Sequence, residues 1–369
     1  MGKLNDLAAL GQGVWLDFVE KKFLAEGSLQ KMVDEDALTG VTSNPSIFEK
    51  AMGHGDAYDA ELAAYDKTNP DAPTIDRYEH LAILDIQAAA DTLRPVYDRL
   101  DSKDGYVSLE VSPYLANDTD ATIAEAQKLW KAVNRPNVMI KIPGTPAGVP
   151  AIAATIDAGI NVNVTLLFSQ NAYQAVAEAY VEGLEKRAAR GEPIDRIASV
   201  ASFFVSRIDS KIDDKIDAGV GGDEAKPLKG KVAIANAKLA YAWYEEFIAS
   251  ARWQALAAKG AQVQRLLWAS TGTKNPDYPD TLYLDTLIGK DTVNTIPPKT
   301  LDAYRERGTA TETLTQDVEG ARHVLSEAER LGLDLDGVTS ELVEEGVASF
   351  SKAFDDLLGS IAAKHPVAA

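Results

Sequence analysis

The sequence predicts an α/β protein folded as a (β/α)8 barrel, or TIM barrel, with extra helices in long connections and at its C-terminus. Eight short runs that are apolar, or that alternate between apolar and polar residues, are bounded by residues that break regular structure. Segments rich in Ala, Leu, Glu, Lys and Gln separate these runs, as expected for helices. A strand followed by a helix, repeated along the chain, favours parallel strands that close into a barrel. A doubly wound open sheet fits the same alternation less well.

The predicted strands are residues 14–18, 38–43, 106–111, 138–142, 160–167, 197–205, 263–269 and 292–296. Helical composition marks residues 119–133, 147–158, 170–190 and 225–258. The connections 51–105 and 207–262 and the C-terminal stretch 309–364 are longer than the barrel requires, so we expect additional helices there. Because no low-complexity linker or shift in composition divides the chain, we expect residues 1–369 to form a single domain.

Composition excludes several functions. Lys plus Arg number 37 and Asp plus Glu number 56, so the net charge of −19 disfavours binding to nucleic acids or anionic membranes. The absence of cysteine removes disulfides, thiolate metal sites and cysteine nucleophiles. The first residues do not resemble a signal peptide, and no apolar stretch approaches the length of a membrane span. We therefore expect a cytoplasmic protein.

Polar residues recur on one face of several predicted strands. In residues 160–167, Asn161, Asn163 and Thr165 share one face, whereas the apolar residues share the other. Lys141 lies opposite apolar neighbours in the fourth strand, and Glu110 does so in the third. Because parallel barrel strands end at one rim, where barrel enzymes carry their chemistry, we expect one polar cluster there. Its members are Asp17, Asn44, Glu110, Lys141, Asn163 and Thr165.

This cluster favours Schiff-base chemistry. A lysine buried in a barrel loses the hydration of its ammonium form, and its free amine can then attack a carbonyl carbon. Forming and breaking an imine needs proton transfers, for which Glu110 and Asp17 are the candidates. The four histidines lie outside the predicted strands, so neither a histidine base nor a metal site is expected.

Phosphate binding is a second expectation. Residues 268–275, read as WASTGTKN, follow the seventh strand and supply hydroxyls, a glycine and Lys274. Arg207 follows the sixth strand and could hold a phosphate with two hydrogen bonds. Structural alternatives remain: Arg207 could pair with Asp209 or cap a helix, Lys274 could be a solvated loop lysine, and Asn44 could be a helix cap. No glycine-rich nucleotide motif is present, so no nucleotide cofactor is expected.

Five stretches, in this order, resemble the transaldolases: GVTSNPSIFEKAM, VSLEVSPYL, VMIKIPGTPAG, GINVNVTLLFS and VASFFVSRID. The resemblance runs from about residue 14 to residue 275 and is most specific in GINVNVTLLFS. It implies a metal-free (β/α)8 barrel without a cofactor. It also implies transfer of dihydroxyacetone, through a lysine Schiff base, from sedoheptulose 7-phosphate to glyceraldehyde 3-phosphate. The products are erythrose 4-phosphate and fructose 6-phosphate, in the non-oxidative pentose phosphate pathway.

The resemblance also implies a role for individual residues. Lys141 in IKIP would form the Schiff base, and Asp17 in VWLD would exchange a proton with the ketose C4 hydroxyl. Glu110 and Thr165 would hold the water that shuttles protons. The dihydroxyacetone fragment would bind three further side chains, Asn44, Asn163 and Ser202, and Arg207 would bind the phosphate.

Two departures from the family pattern affect these expectations. Family members usually carry an arginine as second phosphate ligand after the seventh strand, where this chain has STGTKN, so Lys274 would replace it. Phe204 is typical of transaldolases, whereas small relatives that act as free aldolases have tyrosine there. A free class I aldolase and a catalytically silent sugar-phosphate-binding barrel are the alternatives. Small sugar phosphates are the expected partners, and the sequence permits a homodimer.

Overall fold

A computed structural model describes residues 2–364 and contains a closed barrel of eight strands in sequence order. Every neighbouring pair is parallel, including the pair of first and last strands that closes the barrel. The strands are β1 Gln12–Leu16, β2 Leu38–Val41, β3 Tyr106–Glu110, β4 Val138–Pro143, β5 Val162–Leu167, β6 Ser199–Phe204, β7 Gln264–Ala269 and β8 Thr292–Ile296. The predicted barrel is confirmed, and the open-sheet alternative is wrong.

Helices follow the strands and fill the long connections. Up to the fourth strand they are α1 Lys3–Ala9, α2 Lys21–Ala25, α3 Ser28–Glu35, α4 Pro45–Met52, α5 Asp59–Thr68, α6 Thr74–Arg99 and α7 Thr119–Val133. After it come α8 Gly148–Asp157, α9 Gln170–Ala189, α10 Ser206–Asp217, α11 Gly222–Ala225, α12 Val232–Ala249, α13 Ala251–Ala257, α14 Leu282–Thr286, α15 Pro298–Arg307, α16 Val318–Arg330 and α17 Leu335–Lys364. Short 3₁₀ turns occupy Pro113–Leu115 and Lys226–Leu228.

Some predicted boundaries shift for identifiable reasons. The sequence places β1 at residues 14–18, but Asp17 and Phe18 lie beyond its end, although the Asp17 amide still donates to the Ile296 carbonyl of β8 (3.0 Å). The helical stretch 225–258 is broken at Ser250, which is extended and whose hydroxyl accepts a hydrogen bond from the Trp253 amide (3.3 Å). A serine that caps a new helix in this way ends the preceding one.

The extra helices form where the sequence predicts them. The connection 51–105 contains α5 and α6, and the connection 207–262 contains α10 to α13. The C-terminal helix α17 packs against α4, α6 and α10 and contacts β5. The longest helix therefore lies against the barrel, close to the ends of its strands.

Within residues 2–364, none of the helices combines the length and apolar character needed to cross a membrane.

The N-terminal end of the barrel is closed by a buried ion pair. Arg265 of β7 lies with Nη1 3.0 Å from Oδ2 of Asp104, which directly precedes β3. The Trp15 indole donates to Asp104 Oδ1 (2.9 Å), and the Thr39 hydroxyl donates to Oδ2 (2.8 Å). Gly40 is required beside this cluster, because a Cβ there would lie 2.3 Å from the Trp15 ring. The Arg265–Asp104 ion pair and the Trp15 ring together fill the N-terminal end of the barrel, opposite the C-terminal ends of the strands.

Removing Asp104 should destabilise the barrel strongly. In an Asp104→Ala variant the Arg265 charge stays buried without its partner, which should lower the free energy of unfolding by about 3–5 kcal/mol. The control is Asp98→Ala, which breaks the exposed Arg94–Asp98 pair on α6 and should cost no more than about 0.5 kcal/mol. Denaturant unfolding of both variants measures the difference. Equal losses would contradict a stabilising role for the buried pair.

Candidate active site

Lys141 lies at the centre of the polar cluster inside the barrel. Its side chain projects from β4, is almost completely buried, and places Nζ 3.3 Å from Oε2 of Glu110 on β3. The same nitrogen donates to the Ser43 carbonyl beyond the end of β2 (3.0 Å). Glu110 and Lys141 are register partners across β3 and β4, and Lys141 and Asn163 are partners across β4 and β5. Strand pairing therefore holds the amine beside a carboxylate.

Burial shifts the protonation of Glu110. It raises the pKa of this carboxyl, Lys141 opposes the shift through its charge and a hydrogen bond, and the nearby Asp17 charge adds to it. Thr165 of β5 faces the same space, and its buried hydroxyl oxygen has no hydrogen-bond partner in the described chain. A carboxyl that gains a proton more readily than usual, close to an unsatisfied hydroxyl, is suited to proton transfer.

Asp17 reaches the cluster from the end of β1. The Thr42 hydroxyl donates to its Oδ1 (2.7 Å), and since that hydroxyl has one hydrogen, Thr295 supplies the hydrogen in the 2.6 Å contact between the two threonines. Burial raises the pKa of Asp17, while Lys141, the Thr42 hydrogen bond, Arg207 and Lys274 act in the opposite direction. The result is a carboxylate that is more basic than an exposed one and is held in one orientation.

The remaining polar residues form a connected group. The Asn163 amide donates to Ser108 Oγ (2.9 Å), and its carbonyl oxygen accepts from Ser202 Oγ (2.7 Å). Asn44 is the N-cap of α4 and its Oδ1 accepts from the Ile47 amide (3.0 Å), so the cap alternative is correct. Asn44 nevertheless also lines the cavity, whereas Asn163 is buried and does not line it.

Above these residues opens a cavity of about 570 Å³. Its floor and walls include the predicted Asp17, Asn44, Lys141, Thr165, Ser202, Phe204, Arg207 and Lys274. The Arg207 guanidinium carbon lies 5.4 Å from the centroid of the Phe204 ring, which also contacts Phe168. The strand ends thus bring the buried Lys141 amine, the Asp17 carboxylate and basic side chains to one space open to solvent, whereas Glu110, which contacts Lys141, does not line it.

Besides Lys141, four basic residues line this cavity, although the chain is strongly acidic. They are Lys50, Arg207, Lys274 and Lys299, and within residues 2–364 none of them forms an ion pair with a carboxylate. The proposed pair of Arg207 with Asp209 is wrong, because Asp209 is buried and accepts from the Ala233 amide (2.8 Å) and the Tyr283 hydroxyl (2.9 Å). Unpaired cations around a concave site favour an anionic ligand.

Sequence reasoning missed several lining residues. Lys299 lies in the first turn of α15, just after β8, so applying the strand-end argument to this last strand would have found it. Thr295 lies on the inward face of β8 and could have been found by strand parity. Phe350 comes from α17, and no local pattern indicates that this distant helix reaches the cavity.

The histidines within residues 2–364 take no part in the cluster. His54 is exposed on the surface and His80 stacks on Tyr65, whereas His365 lies outside the described residues. Between residues 2 and 364, no group of three or more His, Asp or Glu side chains could hold a metal ion.

The model of the transaldolase/fructose-6-phosphate aldolase family matches residues 14–361. This chain belongs to that family. The match extends well beyond residue 275, where the recognisable motifs end, and includes most of α17. The transaldolase of Thiobacillus denitrificans is 48% identical over 361 residues, which cover 98% of this chain and 100% of that protein.

Other transaldolases are similar over comparable lengths. That of Trichodesmium erythraeum is 47% identical over 370 residues, covering 98% of this chain and 97% of that protein. Transaldolase 1 of Streptomyces avermitilis is 49% identical over 360 residues, covering 97% of this chain and 94% of that protein. Since these alignments span almost the whole chain, the helices in the long connections belong to the region shared with transaldolases.

Removing the Thr42 hydroxyl should change the acidity of Asp17. The hydrogen bond lowers the pKa of Asp17, so Thr42→Val should raise it, by about one unit if the bond resembles others made to charged groups. A base with a higher pKa stays protonated to higher pH, so the acid limb of kcat/KM should move upward in a transaldolase assay. Thr295→Val, which keeps the Thr42–Asp17 bond, is the control and should move the limb less. An unchanged limb in Thr42→Val would exclude this coupling.

Proposed function

We propose that this chain is a transaldolase in which Lys141 forms the Schiff base. It transfers a dihydroxyacetone unit from sedoheptulose 7-phosphate to glyceraldehyde 3-phosphate, yielding erythrose 4-phosphate and fructose 6-phosphate. The observation that carries the proposal is the buried Lys141 amine, 3.3 Å from Glu110 at the base of a cavity lined by unpaired cations. Family membership supplies the reaction, and this geometry supplies the roles proposed for the residues.

The first step joins the ketose to Lys141. The amine adds to the C2 carbonyl, and the resulting carbinolamine loses water to give a protonated imine. Addition and dehydration move protons between nitrogen and oxygen. Glu110, with its raised pKa, serves as the exchangeable acid and base, through a water that it would hold with the Thr165 hydroxyl.

The second step breaks the carbon–carbon bond. Asp17 removes the proton of the C4 hydroxyl, the C4–O bond becomes a carbonyl, and the electron pair of C3–C4 moves to the iminium nitrogen. Erythrose 4-phosphate leaves, and a neutral enamine remains on Lys141. In the return direction the enamine attacks the aldehyde of glyceraldehyde 3-phosphate, Asp17 gives its proton to the new alkoxide, and water hydrolyses the imine.

Binding divides between the two ends of the substrate. Asn44 and Ser202 face the cavity and would hydrogen-bond the dihydroxyacetone fragment, with Asn163 fixing the Ser202 hydroxyl and completing the set. Arg207 would hold the phosphate, and Lys274 would act as its second ligand. Lysine provides a point charge where an arginine would provide two aligned donors, so the second contact would be less directional.

Phe204 favours transfer over release of free dihydroxyacetone. Its ring lines the cavity and carries no hydroxyl that could protonate the enamine carbon. Incubation with fructose 6-phosphate in the absence of an acceptor aldehyde tests this choice. Rapid release of dihydroxyacetone would identify a free aldolase instead.

Three further expectations form part of this proposal. We expect the chain to fold as one domain, to act in the cytoplasm on small sugar phosphates without nucleic acid or membrane partners, and to assemble as a homodimer. A single cooperative unfolding transition and a solution mass of twice the chain mass would support the first and the last.

Replacing Lys141 should abolish imine formation. The protein is incubated with fructose 6-phosphate and sodium borohydride, which reduces an imine to a stable amine, and peptides are then mapped by mass spectrometry. The parent chain should carry a reduced adduct on Lys141. Lys141→Arg should carry none, because a guanidinium stays protonated near neutral pH and is then not a nucleophile. Lys299→Arg, a cavity lysine outside the barrel interior, is the matched control and should keep the adduct. No adduct on folded parent protein that binds the substrate would indicate a silent binding barrel.

Replacing Lys274 should weaken binding of the phosphate. Lys274→Gln should raise KM for fructose 6-phosphate about tenfold, the loss expected from one charge-assisted contact, and should leave kcat nearly unchanged. Lys259→Gln changes an exposed lysine that precedes β7, at the opposite end of the barrel, and should have no effect. Equal KM values for the two variants would remove Lys274 from the phosphate site.

A further inference from the structure

Leu166 has an unusual backbone conformation inside β5. Its φ is +60°, the left-handed region that side chains other than glycine rarely adopt, and a bulge interrupts the pairing of β5 with β6 between Val164 and Leu167. Such strain persists only where the surroundings determine the conformation, and it concentrates at functional sites. Leu166 directly follows Thr165, whose unpartnered hydroxyl faces the Lys141 amine's cavity.

The C-terminal helix α17 supplies the surroundings of Leu166. Gly346 of this helix lies so close that a Cβ built on it would be 2.8 Å from Leu166 Cδ2 and 3.4 Å from Cδ1. Leu166 is only 1% exposed, so its methyl groups cannot escape toward solvent. A side chain at position 346 would therefore force either the buried Leu166 side chain or the helix to shift.

The same face of α17 reaches the cavity one turn later. Phe350, four residues after Gly346, is buried and lines the cavity. Further along the helix, the Phe354 ring packs against Tyr78 of α6 (5.1 Å) and Tyr114 (5.4 Å). At its beginning, Lys211 of α10 joins the helix through Glu341 and Glu345. Fixed on both sides of Gly346, α17 has little freedom to shift away from Leu166.

On its other side Thr165 is held by β4. Its carbonyl accepts a hydrogen bond from the Gly144 amide (2.7 Å). Two contacts thus determine the position of the Thr165 hydroxyl. One is the hydrogen bond between the Thr165 carbonyl and the Gly144 amide at the end of β4, and the other is the contact of the next residue, Leu166, with α17.

We propose that Gly346 is a positioning residue for the transaldolase reaction: it lets α17 pack against Leu166, and this contact sets the Thr165 hydroxyl in the cavity. The inference rests on the proposed role of Thr165 in imine formation and hydrolysis. A displaced hydroxyl should slow those two steps, whereas phosphate binding by Arg207, in α10, and Lys274, in the loop after β7, should remain.

The test compares two glycines of one helix. Gly346→Ala should slow formation of the borohydride-trapped adduct with fructose 6-phosphate about tenfold and should change KM less than twofold; the loss is smaller than the roughly 10²–10⁴-fold contribution of a proton-transfer group because the hydroxyl is displaced and not removed. Gly359→Ala is the matched control, because an added Cβ meets no atom within 4 Å there, and it should behave as the parent chain. A substitution that only destabilised the fold would not slow adduct formation in the folded protein while leaving KM nearly unchanged.

A second-site variant tests whether the contact itself is responsible. Leu166→Ala removes the clashing methyl groups, so Gly346→Ala should cost much less activity in that background than alone. If Gly346→Ala does not fold, Leu166→Ala alone tests the proposal. Loss of the contact between Leu166 and α17 should slow formation of the adduct and leave KM for fructose 6-phosphate unchanged.

Three results would overturn the proposal. Folded Gly346→Ala could form the adduct at the parent rate, Gly346→Ala could lose the same activity with Leu166 or Ala at position 166, or Leu166→Ala could form the adduct at the parent rate. A parent chain that forms no adduct would instead overturn the proposed function.

Discussion

The buried pair of Lys141 and Glu110 is the interaction on which the catalytic end of the barrel depends. At 3.3 Å, two unit charges attract by about 5 kcal/mol if the effective dielectric constant is about 20. That attraction offsets part of the cost of taking both groups out of water, and removal of either group would leave the other charge buried without a partner. Lys141 also opposes the upward pKa shift of Asp17, so one amine serves as counter-charge to two carboxyls. A protonated imine keeps this positive charge, whereas the neutral enamine loses it, so the pKa values of both carboxyls should rise when the enamine forms.

The two ends of the barrel use buried charge differently. At the N-terminal end, Asp104 is surrounded by donors from Arg265, Trp15 and Thr39, and a glycine allows the indole to approach. At the other end, Thr165 keeps an unpaired hydroxyl and Leu166 keeps a strained backbone. Full satisfaction favours stability, whereas unsatisfied groups and local strain are features of sites that bind and react. The satisfied Asp104 cluster therefore stabilises a fold whose other end contains costly features.

Strand periodicity explains how much of this site could be predicted from sequence. The alternation in residues 160–167 identified Asn163 and Thr165 as inward residues, and the same local rule placed Glu110 and Lys141 in one cluster at the end of the barrel. The strand register makes Glu110 and Lys141 direct neighbours, which the sequence did not predict. Local rules do not extend to contacts between distant segments. Phe350 and Gly346 reach the site from a helix about 180 residues after β5, and Asp104 meets Arg265 across 161 residues. The predicted bounds of β1, residues 14–18, also differ from the observed Gln12–Leu16. Asp17 lies beyond the end of the strand, although its amide still donates a hydrogen bond to β8.

Charge distribution resolves an apparent conflict between an acidic chain and an anionic substrate. The net charge of −19 comes mainly from exposed carboxylates, many of them paired with neighbouring Lys or Arg side chains. At physiological salt, fields from exposed charges fade over about 8 Å, so a ligand entering the cavity responds mostly to the groups that line it. There the unpaired Arg207, Lys274, Lys50 and Lys299 surround Lys141. A small sugar phosphate fits among these cations, whereas a polyanion would have to extend across the acidic exterior, so the same charge distribution admits one class of anion and repels the other.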